Sequence, residues 1–141
     1  MNTARVHIMV VEDNPSDVHL VKMALEEARL DFELTTFEDG EEALSYIRGE
    51  ASVLPDAIVL DVNLPKAEGA EILNVLRAHP RFCDVPVVAL SSSSAARDIE
   101  RIMALGADCY LVKPADLDEF LKIGEAVKAC IQHARAARAG L

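Results

Sequence analysis

The chain has 141 residues, a formal net charge of −10, and a composition that is 51% hydrophobic and 27% charged. That length suits one domain with its own buried core, and the composition is globular, neither disordered nor fibrous. The acidic balance argues against non-specific nucleic-acid binding, which needs basic surface to displace counterions, and no apolar run approaches the ~20 residues of a membrane-spanning helix.

Met1 to Arg5 carries no apolar stretch of the kind a signal peptide requires. Cys83, Cys109 and Cys130 are scattered along the chain without metal-ligand spacing, which reads as reduced thiols in a cytoplasmic protein. His7, His19, His79 and His133 show no ligand spacing either.

Strand and helix patterns alternate five times. Val6 to Val11 is an apolar run suited to a buried strand. Asn14, Pro15 and Ser16 supply a helix cap and first turn, and Val18, Val21, Leu25 and Ala28 follow at helical spacing. Phe32 to Phe37 alternates as a half-buried strand does. Asp39-Gly40 breaks it, and Ala43, Leu44 and Ile47 mark a second helix. Ala57 to Leu60 is a fully apolar strand that ends at Asp61. Gly69 opens a helix through Ile72, Leu73 and Leu76, stopped near Pro80. Val85 to Leu90 predicts a fourth strand, and Ser91 to Ser94 leads into a helix carrying Ile99, Ile102, Met103 and Leu105, with Gly106 as its C-terminal cap. Cys109 to Val112 predicts a fifth strand, ended by Lys113-Pro114. One long helix from about Leu117 places Phe120, Ile123, Val127, Cys130 and Ile131 on one face.

Strands that are mostly continuous apolar runs belong to a parallel sheet covered on both faces. Five βα units of this kind predict a doubly wound α/β fold: one domain over residues 1–141, with a core of about 6–131, an extended last helix and a tail. In such sheets chemistry gathers beyond the carboxyl ends of the strands. The polar residues stand there: Glu12 and Asp13 after strand one, Asp61 at the end of strand three, Ser91 after strand four and Lys113 after strand five.

Acidic residues after a strand can simply favour the next helix N-terminus, and Glu12-Asp13 permits that reading. Asp61 is harder to explain so, because a carboxylate ending a buried strand is costly unless paired or metal-bound. Three converging carboxylates repel, and a hard divalent cation resolves that repulsion. Magnesium suits such a set: two carboxylates, a backbone carbonyl and waters meet its octahedral demand. Lys113 is either an ordinary ion-pair partner or a holder of one phosphoryl oxygen. The Ser91 hydroxyl is either a helix cap or a hydrogen-bond donor to a second oxygen. An X-Pro bond can be cis in a tight turn, and a cis Lys113–Pro114 bond would aim the lysine inward. Together these groups make a phosphoryl-transfer site in which an aspartate attacks phosphorus. Catalysis then rests on positioning and charge neutralisation, with no general base needed.

From Val6 to about Cys130 the chain resembles the receiver domains of two-component response regulators. Val10-Val11-Glu12-Asp13-Asn14 is similar to the family's acidic-pair loop, and Leu60-Asp61-Val62-Asn63-Leu64-Pro65 with Gly69 to its phosphoacceptor loop. Leu90-Ser91-Ser92 is similar to its hydroxyl position, and Tyr110-Leu111-Val112-Lys113-Pro114 to its lysine strand. The order, with 30 residues from Asp61 to Ser91 and 22 from Ser91 to Lys113, is specific. The resemblance implies a flavodoxin-like five-stranded sheet of order 2-1-3-4-5 with five helices. It implies phosphorylation of Asp61 by a sensor histidine kinase. It implies magnesium held by Glu12, Asp13, Asp61 and the Asn63 carbonyl, phosphoryl contacts from Lys113 and Ser91, a structural turn at Pro114, and a switch through Ser91 and Tyr110. The switched surface would be helix 4, strand 5 and helix 5, a face that also suits a homodimer. Such a protein is a signalling phosphoacceptor that assists its own phosphorylation and dephosphorylation; it is not an enzyme in the usual sense. The chain ends after the fifth helix, as in single-domain, chemotaxis-regulator-like receivers. The Asp-Val-Asn-Leu-Pro loop, the Ser91-rich segment with Arg97-Asp98-Ile99 and the long last helix are similar to regulators partnered with phytochrome-type kinases.

Serine stands at 91, where the family often has threonine, and Glu68 stands where aspartate is frequent before the glycine. Neither change removes a chemical group. Asn63 and Ser93 sit where the family tunes phosphoryl lifetime. A nucleotide enzyme of this fold would want glycines after strand one, not Glu12-Asp13-Asn14-Pro15-Ser16. A haloacid-dehalogenase-like phosphatase would need an acid at Asn63. A pseudo-receiver that only binds proteins is the alternative against which Glu12, Asp13, Asp61, Ser91 and Lys113 argue.

Overall fold

The computed structural model describes residues 5–49, 53–63 and 68–139. The Leu64-Pro65 part of the phosphoacceptor loop, with Lys66 and Ala67, lies outside the described residues, as do residues 1–4 and 140–141.

Five strands, β1 (Val6–Val11), β2 (Phe32–Phe37), β3 (Ala57–Asp61), β4 (Val87–Ser91) and β5 (Cys109–Val112), form one parallel sheet in the order β2-β1-β3-β4-β5. This is the expected doubly wound arrangement. The helices are α1 (Pro15–Glu27), α2 (Gly40–Arg48), α3 (Gly69–Ala78), α4 (Ala96–Ala104), α5 (Leu117–Leu121) and α6 (Ile123–Ala139).

The sheet separates two apolar layers, because successive strand residues point to opposite faces. Met9, Val11, Ile58 and Leu60 pack with Ala43, Leu44 and Ile47 of α2, Ile72, Leu73 and Leu76 of α3, and Ile102 of α4. Ile8, Val10, Ala57 and Val59 pack with Val21 and Leu25 of α1, Phe120 of α5, and Ile123, Val127, Cys130 and Ile131 of α6. The central strand β3 is buried along its whole length, including Asp61.

Local chemistry sets the element ends. The Asn14 side chain caps α1 by accepting from the Ser16 amide at 2.9 Å, with Pro15 in the first turn. Asp39 caps α2 through the Glu42 amide at 2.9 Å. Gly106 follows α4 at φ 115°, a conformation glycine adopts without strain.

Three expectations change. The fourth strand starts at Val87, two residues later than the apolar run suggests, because Pro86 has no amide to give to the ladder. The last helix is not continuous. At Lys122 the bonding tightens to i→i+3, with Lys122 N–H donating to Glu119 and Glu125 N–H to Lys122, and α6 starts afresh at Ile123. This break lies beside Gly124, where an added Cβ would overlap the Ala24 carbonyl of α1. Finally, no cis peptide bond occurs among the described residues, so Lys113–Pro114 is trans.

Arg77, in the last turn of α3, fastens the opposite edge of the sheet. Its guanidinium donates to the Cys83 and Val85 carbonyls before β4 at 3.0 and 2.8 Å. It also donates to the Gly106 carbonyl at 2.7 Å and to the Asp108 carboxylate at 3.1 Å. Asp108 in turn accepts from the Val87 amide at 2.8 Å.

Candidate functional site

The strand order reverses between β1 and β3, so the loops leaving these two strands diverge to opposite faces and open a crevice at their carboxyl ends. Glu12 and Asp13 follow β1 on one side of it and Asp61 ends β3 on the other. One carboxylate oxygen from each of Glu12, Asp13 and Asp61 lies within 4.8 Å of the other two. Glu12 and Asp61 are buried and Asp13 is exposed, so the trio has a dry floor and an open side.

Lys113, just beyond β5, closes the group from the third strand end. Its amide continues the β4–β5 ladder by donating to the Ser91 carbonyl at 2.7 Å. From there its Nζ reaches Glu12 Oε1 at 2.9 Å, Asp17 Oδ2 at 3.0 Å and Asp61 Oδ2 at 3.4 Å. The lysine thus points into the site with the Lys113–Pro114 bond trans.

Burial pushes the Glu12 carboxyl up to about 8, helped by a hydrogen bond shared with Asp61 and only partly offset by Lys113. Burial alone would lower the Lys113 ammonium, but its bonds to Glu12 and Asp17 and the charge of Asp61 hold it raised, so it stays a cation. One lysine thus faces several carboxylates, and the site keeps an excess of negative charge.

A divalent cation fits this donor set. Three hard oxygens converge from one side, Asp13 leaves an open face for water, and a cation would take over the work of the Glu12 proton. The Asn63 backbone stands close by, with its amide donating to Asp61 Oδ1 at 2.9 Å.

A polar chain leads away from Asp61. The Asn63 side-chain amide donates to the Ser91 hydroxyl at 3.2 Å, which also accepts from the Ser93 amide at 3.0 Å. The Ser93 hydroxyl donates to Asp98 of α4 at 2.6 Å and accepts from the Ala95 amide at 3.2 Å. The Tyr110 hydroxyl of β5 donates to the Ser93 carbonyl at 2.9 Å. Ser91 is not a helix cap, since α4 starts after Ala95. The structure thus brings together Glu12, Asp13, Asp61, Asn63, Ser91 and Lys113, and ties Tyr110 to the same segment. Asp17 and Asp98 are two members that sequence reasoning missed. Asp17 resembles an ordinary acid in a helix first turn, and nothing in its local sequence marks it as a partner of Lys113.

Cys109 and Cys130 line one surface cleft, and burial, helped by the neighbouring Cys109, raises the Cys130 thiol well above its ordinary range. No helix among the described residues is long and apolar enough to cross a membrane.

The family model described as response regulator receiver domain matches residues 8–125. The response regulator Rcp1 of Synechocystis sp. is 32% identical over 126 residues, 86% of each chain. The crystal structure of the phosphorylated cyanobacterial phytochrome response regulator RcpA matches with a TM-score of 0.81 at 37% identity, over 89% of this chain and 92% of that one. The Mn(2+)-bound form of Rcp1 matches with a TM-score of 0.79 at 33% identity, over 88% of this chain and 92% of that one. The family match runs through every strand tip from Glu12 to Lys113, and the chain belongs to the response regulator receiver domains.

Proposed function

We propose that this receiver takes a phosphoryl group from a histidine kinase onto Asp61, with Mg2+ held by Glu12, Asp13, Asp61 and the Asn63 carbonyl. The observation that carries this reading is the convergence of three carboxylates and one ammonium group at the point where the strand order reverses. The Asp61 carboxylate attacks phosphorus, a P–O bond forms, and the P–N bond to the donor imidazole breaks, leaving a neutral imidazole after proton uptake. When bound, the magnesium ion neutralises charge on the phosphoryl oxygens. Lys113 holds a further oxygen from the β5 side. The product is an acyl phosphate, open to hydrolysis from the Asp13 side, with the Asn63 and Ser93 side chains setting its lifetime.

The Ser91 hydroxyl is the signal relay. It leaves Asn63 to meet the phosphoryl group and carries with it the Ser93 segment to which Asp98 and Tyr110 are bonded. The output surface is α4, β5 and the last helix pair, where Met103, Val112 and Leu117 are exposed apolar residues. That face suits a partner or a second copy of the chain. The similarity to Rcp1 and RcpA supports a phytochrome-type histidine kinase as donor in the cytoplasm, and the Mn(2+)-bound form of Rcp1 supports a divalent ion in this crevice.

Incubation with acetyl phosphate and Mg2+, followed by intact mass measurement, tests the reading. One added phosphoryl group is expected, absent from Asp61→Asn and from a chelated sample. A folded protein that takes up no phosphoryl group and binds no beryllofluoride would instead be a pseudo-receiver.

A further inference from the structure

An ammonium group has three donors, and in this structure Lys113 points them at three carboxylates. Two of these, Glu12 and Asp61, belong to the trio whose oxygens can meet at one cation. The third, Asp17, does not, although its 3.0 Å bond is nearly as short as the 2.9 Å bond of Glu12. Asp17 sits in the first turn of α1, in an orientation set by the Asn14 cap and Pro15. Its side chain is largely covered, at 22% exposure, and that of Lys113 at 17%. The pair links α1 to the end of β5 across 96 residues of chain.

These partners respond differently to phosphorylation, and the consequence rests on the reading of Asp61 as phosphoacceptor. A cation bound by the trio would compete with the ammonium group for Glu12, and phosphorylation would turn the Asp61 carboxylate into an acyl phosphate, so that neither would remain a carboxylate partner for Lys113. Asp17, outside that trio and not the acceptor, would stay in place beside Lys113. A lysine side chain is long and rotamer-rich, so a partner that stays fixed spares the loss of its freedom when it contacts phosphoryl oxygen. We infer that Asp17 is a positioning residue that holds Lys113 over the acceptor throughout the phosphorylation cycle.

The competing account gives Asp17 only a helical role, as an acid favoured near the α1 N-terminus. The two differ in what they do to beryllofluoride, a phosphoryl mimic, and to Mg2+. Both affinities are to be measured by titration on the full chain for wild type, Asp17→Ala and Asp17→Asn, with thermal unfolding alongside. The asparagine variant preserves the shape of the first turn and serves if the alanine variant folds poorly. The Lys113 ammonium group is to be followed by lysine-selective NMR in the beryllofluoride complex.

The expected result is a fall in beryllofluoride affinity of roughly three- to tenfold at saturating Mg2+, the scale of one charge-assisted contact. Mg2+ affinity should stay within about twofold, because Asp17 is no ligand. The Lys113 ammonium resonance, protected in wild type, should broaden through solvent exchange. Unchanged or tighter beryllofluoride binding overturns the inference. An equal loss for both ligands overturns it too, in favour of the helical role. Wild type that fails to bind beryllofluoride at all would instead sink the phosphoacceptor reading.

Discussion

The side-chain amide of Asn63 bridges two strand ends, lying 3.2 Å from the hydroxyl of Ser91 while its own backbone amide holds Asp61 at 2.9 Å. The proposed acceptor and the proposed relay are thus joined through a single residue.

Ser91→Ala removes the oxygen on which the Asn63 amide and the Ser93 amide converge. Ser91 is buried, so both donors lose a partner where water is scarce. The variant should lose about 1 kcal/mol of stability in urea unfolding. It should also leave the amide spectrum of α4 and β5 unmoved on beryllofluoride addition. Ser91→Thr retains the hydroxyl and should keep that response.

The Glu12 carboxyl, raised from an ordinary value of 4.5 to about 8 by burial, makes cation binding depend on pH. Below about 8 the metal-free fold keeps its proton, and a cation must displace it. Mg2+ affinity should therefore climb from pH 5.5 to about 8 and level off, with protons released on binding. Calorimetry in buffers of different ionisation enthalpy reads that release. Stability of the metal-free protein moves the other way. The folded state binds the extra proton, so the Glu12 contribution is fully present below pH 4.5 and is lost as pH rises through about 8. Glu12→Gln should flatten both profiles and weaken Mg2+ binding.

Gly69→Ala places a methyl group 2.5 Å from the Val62 Cα and 2.9 Å from its Cβ. Neither can retreat freely, since the Gly69 amide also donates to the Val62 carbonyl at 3.3 Å and the Val62 amide to Leu90 at 3.0 Å. The clash pushes on the residue between Asp61 and Asn63. A loss of about 1–3 kcal/mol in chemical denaturation is expected, together with weaker Mg2+ binding. A variant that matched wild type in both would show that the loop relaxes without moving Asn63.

The legible parts of this protein were those written in single segments. Apolar runs such as Ala57 to Leu60 announce a strand buried on both faces, and a parallel sheet puts its chemistry at strand ends, so Glu12, Asp61, Ser91 and Lys113 could be located in advance. What stayed hidden depends on two distant segments meeting. Asp17 looks like any acid in a helix first turn until Lys113 is seen beside it. Asp98 looks like a solvated charge until Ser93 bonds to it. The break at Lys122 has no Pro to mark it; it lies next to the close approach of Gly124 to α1. Cys109 and Cys130 meet only because β5 lies under α6.

The fastening made by Arg77 has a mechanical corollary. The carbonyl of Gly106, one residue past the C-cap of α4, is gripped by a guanidinium that also holds the start of β4 and Asp108. The opposite end of α4 is bonded to the Ser93 segment, the part that Ser91 would draw along in the proposed relay. Under the proposed relay the helix would act as a lever with its pivot at Gly106, a small pull at Ser93 swinging its free end while the end gripped by Arg77 stands still.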